Sequence, residues 1–202
     1  MQVEKIDINQ PDAKLLERAG EIIRAGGVVA FPTETSYGLA ADPTSVSAVR
    51  RIYEIKGRPD RKALSLIAAD QSVVGNYFVM SEVMAELAQR WPAALTLVLP
   101  RRSGRRLPAL RGRRNGAVRV SDNRLARKLA EHAGGLVTAT SANLSGTPDT
   151  YSGADLRWKF AGREFTPDLL LDGGTLTERP PSTIVTVSRG RIKVLRQGEE
   201  KV

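Results

Sequence analysis

Residues 117–143, AVRVSDNRLARKLAEHAGGLVTATSAN, decide the fold. Ala117–Val120 is a short apolar run with β-branched residues, which predicts a strand. From Asp122 to Ala133 the apolar residues Leu125, Ala126, Leu129 and Ala130 recur at helical spacing, so the segment predicts an amphipathic helix. Gly134-Gly135 ends it, and Leu136–Thr140 predicts a second strand that runs directly into Ser141. A strand, a crossover helix and a strand in 25 residues or so point to an α/β sheet.

The flanking sequence repeats the alternation. Pro11 and Asp12 open a helix with Leu15, Leu16, Ala19, Ile22 and Ile23 on its apolar face, closed by Gly26-Gly27. Val28–Phe31 predicts a buried strand ended by Pro32. A helix from about Ser45 to Lys56 turns Val46, Val49, Ile52 and Tyr53 inward. Leu64–Ala68 and Leu95–Leu99 predict strands, with a helix at Ser81–Arg90 between them. Asp168–Leu171, Thr183–Val187 and Ile192–Leu195 predict three more strands. The last two are separated only by Ser188-Arg189-Gly190-Arg191, a hairpin connection. The terminal hairpin makes the expected sheet mixed, with parallel and antiparallel pairs and flanking helices. No repeat or linker divides residues 1–202, so a single domain is expected.

Hydrophobic content of 41% and charged content of 26% are those of a folded globular chain. The absence of cysteine excludes disulfides, thiolate metal sites and cysteine nucleophiles. No apolar run approaches the roughly 18 residues of a membrane span, and the first residues lack a signal-peptide pattern. A cytoplasmic protein without a membrane partner is the expectation. Net charge is +9, and seven arginines between Arg101 and Arg114, with no acid among them, account for most of it. Two readings of that segment stand: a solvated loop, or an anion-facing loop for nucleotide or tRNA.

Three motifs carry chemistry. Lys56 and Arg58 end the second helix, where its dipole favours cations and where Gly57 and Pro59 stop it. The functional reading gives a triphosphate a point charge and a planar fork. Ser141-Ala142-Asn143 follows a strand; its polar groups either cap their own loop or face a ligand. Thr33-Glu34-Thr35-Ser36-Tyr37 leaves another strand end, the usual place for binding loops in open sheets. A turn held by its own threonines is the competing reading. No Walker loop or dinucleotide fingerprint is present. With one histidine, His132 on a helix beside apolar positions, triad and histidine-rich zinc chemistry are disfavoured.

In order along the chain, Phe31–Leu39, Ala48–Pro59 ending in Lys-Gly-Arg-Pro, Trp91–Thr96, Ala117–Val120, Thr140–Gly146 and Pro181–Val185 resemble the YrdC-like family of stand-alone threonylcarbamoyl-AMP synthases. The resemblance runs from about residue 10 to 197. Its Lys-x-Arg and Ser-x-Asn signatures separate these synthases from sister proteins of the same fold.

The resemblance implies a twisted mixed sheet around a large basic cavity, and a nucleotidyltransferase. Such an enzyme condenses L-threonine, bicarbonate or CO2, and ATP to threonylcarbamoyl-adenylate, releasing pyrophosphate. The product feeds a transferase machinery that modifies the adenosine beside the tRNA anticodon. Residue by residue it implies threonine contacts at Thr35, Arg119 and Ser182. ATP contacts are implied at Arg58, Lys62, Asn115, Ser141, Asn143 and Arg196. Lys56 and Arg58 are the signature catalytic pair. Magnesium is implied on the triphosphate, with no protein metal site. The sequence departs from the family pattern at Lys62, where asparagine is frequent, and at Ile67, where a longer class carries histidine. A third departure is Asp149, where a small hydroxyl residue is common. The competing expectation is a module of the same fold that binds double-stranded RNA or tRNA without this activity.

Overall fold

The first helix, α1 (Ala13–Arg24), begins where Asp12 accepts a hydrogen bond from the Leu15 N–H at 2.8 Å, which satisfies one of the four orphan donors of a helix start. The same device starts α2 (Val46–Lys56) from Ser45, α4 (Glu82–Ala88) from Ser81 and α5 (Arg124–His132) from Asn123. The strands are β1 (Gln2–Lys5), β2 (Val29–Pro32), β3 (Tyr37–Ala40), β4 (Leu66–Ala68), β5 (Leu95–Pro100) and β6 (Asn115–Arg119). They continue with β7 (Leu136–Thr138), β8 (Thr140–Ser141), β9 (Leu169–Asp172), β10 (Thr183–Ser188) and β11 (Arg191–Arg196). Two short helices, α3 (Gln71–Tyr77) and α6 (Gly153–Phe160), complete the list. This computed structural model describes residues 1–59, 62–188 and 190–202. Arg189, in the expected terminal turn, lies outside the described residues.

The α/β fold and mixed pairing are as the sequence predicts, but the strands form two sheets. One has the order β1-β9-β2-β3-β8, the other β11-β10-β5-β6-β4-β7. The expected strand 136–140 is therefore two strands. Thr138 belongs to the six-stranded sheet and Thr140 to the five-stranded one. Between them the Ala139 N–H donates to Ser65 O at 2.8 Å. Leu169, Leu170 and Leu171 alternate between two apolar cores, as do Val28 to Phe31 and Leu66 to Ala68. Burial on both faces is why these strands read as continuous apolar runs.

Other differences have local causes. Val46 is exposed because it occupies the first turn of α2, and Ala48 and Ile55 complete the inner face instead. The β3 strand escapes a propensity reading because it contains Gly38 and Ala40. A Cβ at position 38 would sit 3.2 Å from the Phe31 ring, so packing this tight against β2 favours glycine. Ile67 is fully buried in the core that α1 and α5 cover. The arginine segment is not a free solvated loop. Arg102 Nε and Arg105 Nε donate to Gly75 O and Asn76 O at 3.1 and 3.0 Å, and the Arg105 guanidinium lies 5.5 Å from the Tyr77 ring centre. The segment thus ties down the C-terminal end of α3. Among the described residues, no helix is long and apolar enough to cross a membrane.

Candidate active site

Register brings the two polar motifs together. In the β2–β3 hairpin Phe31 pairs with Gly38, and on the other edge of β3 Gly38 pairs with Ser141. The turn 33–36 and the start of Ser141-Ala142-Asn143 are consequently neighbours. The six-stranded sheet contributes the end of β6 with Arg119, the approach to β10 with Ser182, and the end of β11 with Arg196. A cavity of about 260 Å³ opens at this junction of the two sheets. Thr35, Arg58, Arg119, Ser141, Ser182 and Arg196 all line it.

Arg58 reaches the cavity through the end of α2. Gly57 adopts a left-handed conformation with φ of 54°, its N–H donates to Glu54 O, and the Arg58 N–H donates to Tyr53 O. That pair of bonds is a Schellman ending, which turns the chain sharply out of the helix. The Arg58 guanidinium then has one long contact, 3.5 Å to Thr140 Oγ1, and no carboxylate partner among the described residues.

Lys56 does something different. It is buried at 3% exposure, and its ammonium donates to Ser141 O, to Asn143 O at 2.9 Å and to Asn143 Oδ1 at 2.9 Å. All three protons are committed. Asn143 is committed as well: Ser141 Oγ donates to its Oδ1 at 2.7 Å, and its Nδ2 donates to Thr147 O at 2.5 Å. The signature lysine and asparagine thus lie behind the cavity wall and hold the loop that presents Ser141. Burial, then repulsion by Arg58, pushes the Lys56 pKa down to about 8, against the pull of Asp149.

Arg119 is held at one edge. Its Nε donates to Glu34 Oε1 at 2.7 Å, in an ion pair whose side chains are 7% and 3% exposed. Ser121 Oγ donates to the other Glu34 oxygen. The Arg119 terminal nitrogens have no hydrogen-bond partner among the described residues, yet no buried side-chain nitrogen or oxygen among those residues lacks one. Those nitrogens therefore border the cavity, a free planar fork for a carboxylate. Arg196 Nη2 donates to Ser182 O at 2.8 Å and to Ser182 Oγ at 3.1 Å, and Ser182 Oγ also lies 2.8 Å from Thr96 Oγ1. Burial, followed by the charge of Arg119, lowers the Arg196 pKa. In the 33–36 turn, Thr33 Oγ1 donates to Ser36 O at 2.7 Å, so the turn is self-supported while Thr35 still borders the cavity.

Besides Asn143, two further expected ATP contacts lie outside this lining. Lys62 has an exposed side chain, and Asn115 is exposed at the far end of β6. Asn115 and Arg119 share a face of that strand, about 13 Å apart at 3.3 Å per residue. None of the seven arginines between residues 101 and 114 lines the cavity. Sequence reasoning assigned no site role to Glu34 or Thr96, although both stand in motifs it singled out, and it noted Asp149 only as a departure from the family pattern. A wider depression of about 720 Å³ near Asp168 holds less chemistry, since its Arg51 and Asp168 pair with each other at 2.8 and 2.9 Å. No group of three or more histidines, carboxylates or thiols among the described residues is placed to hold a metal.

The sequence pattern of the Sua5/YciO/YrdC family, described as "Telomere recombination", matches residues 21–198. The chain belongs to this family. It is 37% identical over 186 residues to a threonylcarbamoyl-AMP synthase of Chromobacterium violaceum, covering 90% of this chain and 93% of that one. It is 40% identical over 174 residues to the protein of that name from Methylobacillus flagellatus, covering 84% and 93%. Among solved structures, P. abyssi Sua5 complexed with L-threonine superimposes with a TM-score of 0.88 at 32% identity. That match covers 98% of this chain but 58% of the longer Sua5. E. coli YciO superimposes at 0.85 and 27% identity, covering 98% and 95%.

Proposed function

We propose that this Sua5/YciO/YrdC family member is a threonylcarbamoyl-AMP synthase. It condenses L-threonine, bicarbonate or CO2, and ATP, with release of pyrophosphate, and its product serves threonylcarbamoyladenosine modification of tRNA. The observation that carries the reading is the convergence of Thr35, Arg58, Arg119, Ser141, Ser182 and Arg196 on one cavity. The chain bearing them is 34–42% identical to several proteins of that name.

The chemistry asks little of a protein base. The threonine nitrogen adds to CO2, losing protons to solvent, and a carbamate oxygen then attacks the α-phosphorus as the bond to the β-phosphate oxygen breaks. Positioning and charge neutralisation supply the acceleration. In this reading the free fork of Arg119 takes the threonine carboxylate, and Thr35 and Ser182 border the same amino acid. Arg58 and Arg196 neutralise phosphate charge, Ser141 borders the nucleotide, and Lys56 with Asn143 keeps Ser141 in place. Asn115 and Lys62 serve the outer part of the nucleotide. Mg2+ enters with the triphosphate, held by phosphate oxygens and water, the usual mode for this ion. The adenylate passes to a tRNA-modifying transferase.

The test is incubation of the purified protein with ATP, L-threonine and bicarbonate, followed by a mass-spectrometric search for threonylcarbamoyl-adenylate. Product and pyrophosphate should appear only when all three are present. The competing reading draws on Arg101, Arg102, Arg105, Arg106, Arg113 and Arg114, none of which has a carboxylate partner among the described residues. Binding of RNA with a steep salt slope, without any such product, would establish that reading instead.

A further inference from the structure

Among the described residues that line the cavity, Asp149 is the one carboxylate, against three guanidinium groups from Arg58, Arg119 and Arg196. It lies in the loop after Ser141-Ala142-Asn143, exposed, with no hydrogen bond or ion pair to a described residue. Its charge nevertheless reaches Lys56 and Arg196, where it favours the cationic forms. Glu34, the other nearby acid, is already spent on Arg119 and Ser121.

An unpaired carboxylate is out of place in a cavity for polyanions. It repels the triphosphate that the arginines attract, so it weakens nucleotide binding unless a cationic group arrives opposite it. L-Threonine brings such a group. Its carboxylate and ammonium are fixed on one carbon, so seating the carboxylate on the free Arg119 nitrogens leaves the ammonium inside the same small space. Among the described residues, no other acid lines that space to receive it.

We infer that Asp149 is a substrate-binding residue which receives the α-ammonium group of the incoming amino acid. This rests on the proposed function. It adds that the site selects a zwitterion, with Arg119 and Asp149 reading its two charges. The nitrogen that must join CO2 is thereby held at a known wall of the cavity before the reaction begins.

Calorimetric titration of the full chain, in EDTA and without ATP, tests it with L-threonine and with 2,3-dihydroxybutyrate, which lacks the amine. Asp149 has no partner among the described residues to lose, so Asp149→Asn and Asp149→Ser should melt as the wild type does. A charge-assisted contact corresponds to about a tenfold change in affinity. The wild type should accordingly prefer threonine to the analogue by about tenfold or more. Both variants should lose that preference by binding threonine less tightly, with the analogue's affinity unchanged. Variants that keep the wild-type preference overturn the assignment. So does an unchanged threonine affinity accompanied by weaker Mg·ATP binding in a parallel titration, which would give the carboxylate to the metal. Wild-type protein that binds no threonine at all would overturn the proposed function, and this inference with it.

Discussion

Lys56 and Arg58 stand two residues apart and do opposite work. Arg58 has one long hydrogen bond to the described residues, so Arg58→Ala should leave the melting temperature unchanged while adenylate formation falls by about 10²–10³, as for other lost transition-state clamps. Near-normal turnover in the mass-spectrometric assay would refute a role on the phosphates. Lys56→Met instead strips the donor from Ser141 O, Asn143 O and Asn143 Oδ1. It should cost stability, about 1–3 kcal/mol for a buried acceptor left unpaired, as well as activity, and a thermal melt separates the two variants. The pKa of Lys56, pushed down to about 8, adds a pH signature. As pH rises through that value the ammonium loses a proton and one of its three donations, so product formation should decline with single-proton dependence. Stability linked to Lys56 moves the other way. Between about 8 and the ordinary value of 10.5 the unfolded chain holds the proton that the folded chain has released. Unfolding then takes up a proton, and this group's contribution to stability grows with pH. Denaturant melts of wild type and Lys56→Met across that window should diverge in this sense; a contribution that falls with pH would contradict the burial of the charge.

The helices legible in the sequence are those in which an end signal stands beside a periodic apolar face. Asp12, Ser45 and Ser81 each precede a periodic apolar face and each caps its helix. Asp70 and Ser152 cap the 71–77 and 153–160 helices in the same way, but these helices are short and bury only one and three residues, too few to write a periodic apolar face into the sequence. The site divides in the same way. Arg58, Ser141 and Thr35 announce themselves in polar motifs at element ends. The Glu34–Arg119 pair joins residues 85 apart in sequence, a proximity that only strand register creates. Glycines show how far an element's role can be separated from its stability. At Gly20 a Cβ would lie 2.6 Å from His132 O, so Gly20→Ala should force α1 and α5 apart at a cost of about 1–3 kcal/mol. Substrate affinity of the folded protein should stay normal, because neither helix lines the cavity. At Gly57 nothing lies within 4 Å of a Cβ, and the strain is only the left-handed φ, worth about 1 kcal/mol. Gly57→Ala should therefore melt only slightly early yet lose ATP affinity, because the turn that aims Arg58 is disturbed. Paired melts and ATP titrations decide it; the reverse pattern would mean that α2 ends independently of the site.

At the scale of the molecule, the site exists because two sheets meet, and its walls are shared between them. The five-stranded sheet supplies the 33–36 turn and Ser141; the six-stranded one supplies Arg119, Ser182 and Arg196. A residue pattern that reads as one sheet does not place the cavity at a seam, since the seam falls at Ala139, inside what reads as the single strand Leu136–Thr140. What fastens the seam is Thr138. Its hydroxyl donates to Leu39 O at 3.0 Å and accepts from the Ala41 N–H at 2.9 Å, and its own N–H donates to Ala41 O at 3.0 Å. Thr138 is fully buried, so the hydroxyl has no solvent to fall back on. Thr138→Val keeps the shape and removes both hydroxyl bonds, leaving a backbone donor without its partner in the interior. The expected cost is about 1–3 kcal/mol, or roughly 2–10 °C in melting temperature for a chain of this size. Because the substitution loosens one sheet against the other, threonine and ATP should both bind less tightly, whereas Arg119→Ala should weaken threonine far more than ATP. A Thr138→Val protein that melts and binds as the wild type does would mean that apolar packing alone holds the two sheets in register. A variant that melts early but binds both ligands normally would mean that the cavity walls are set by each sheet separately.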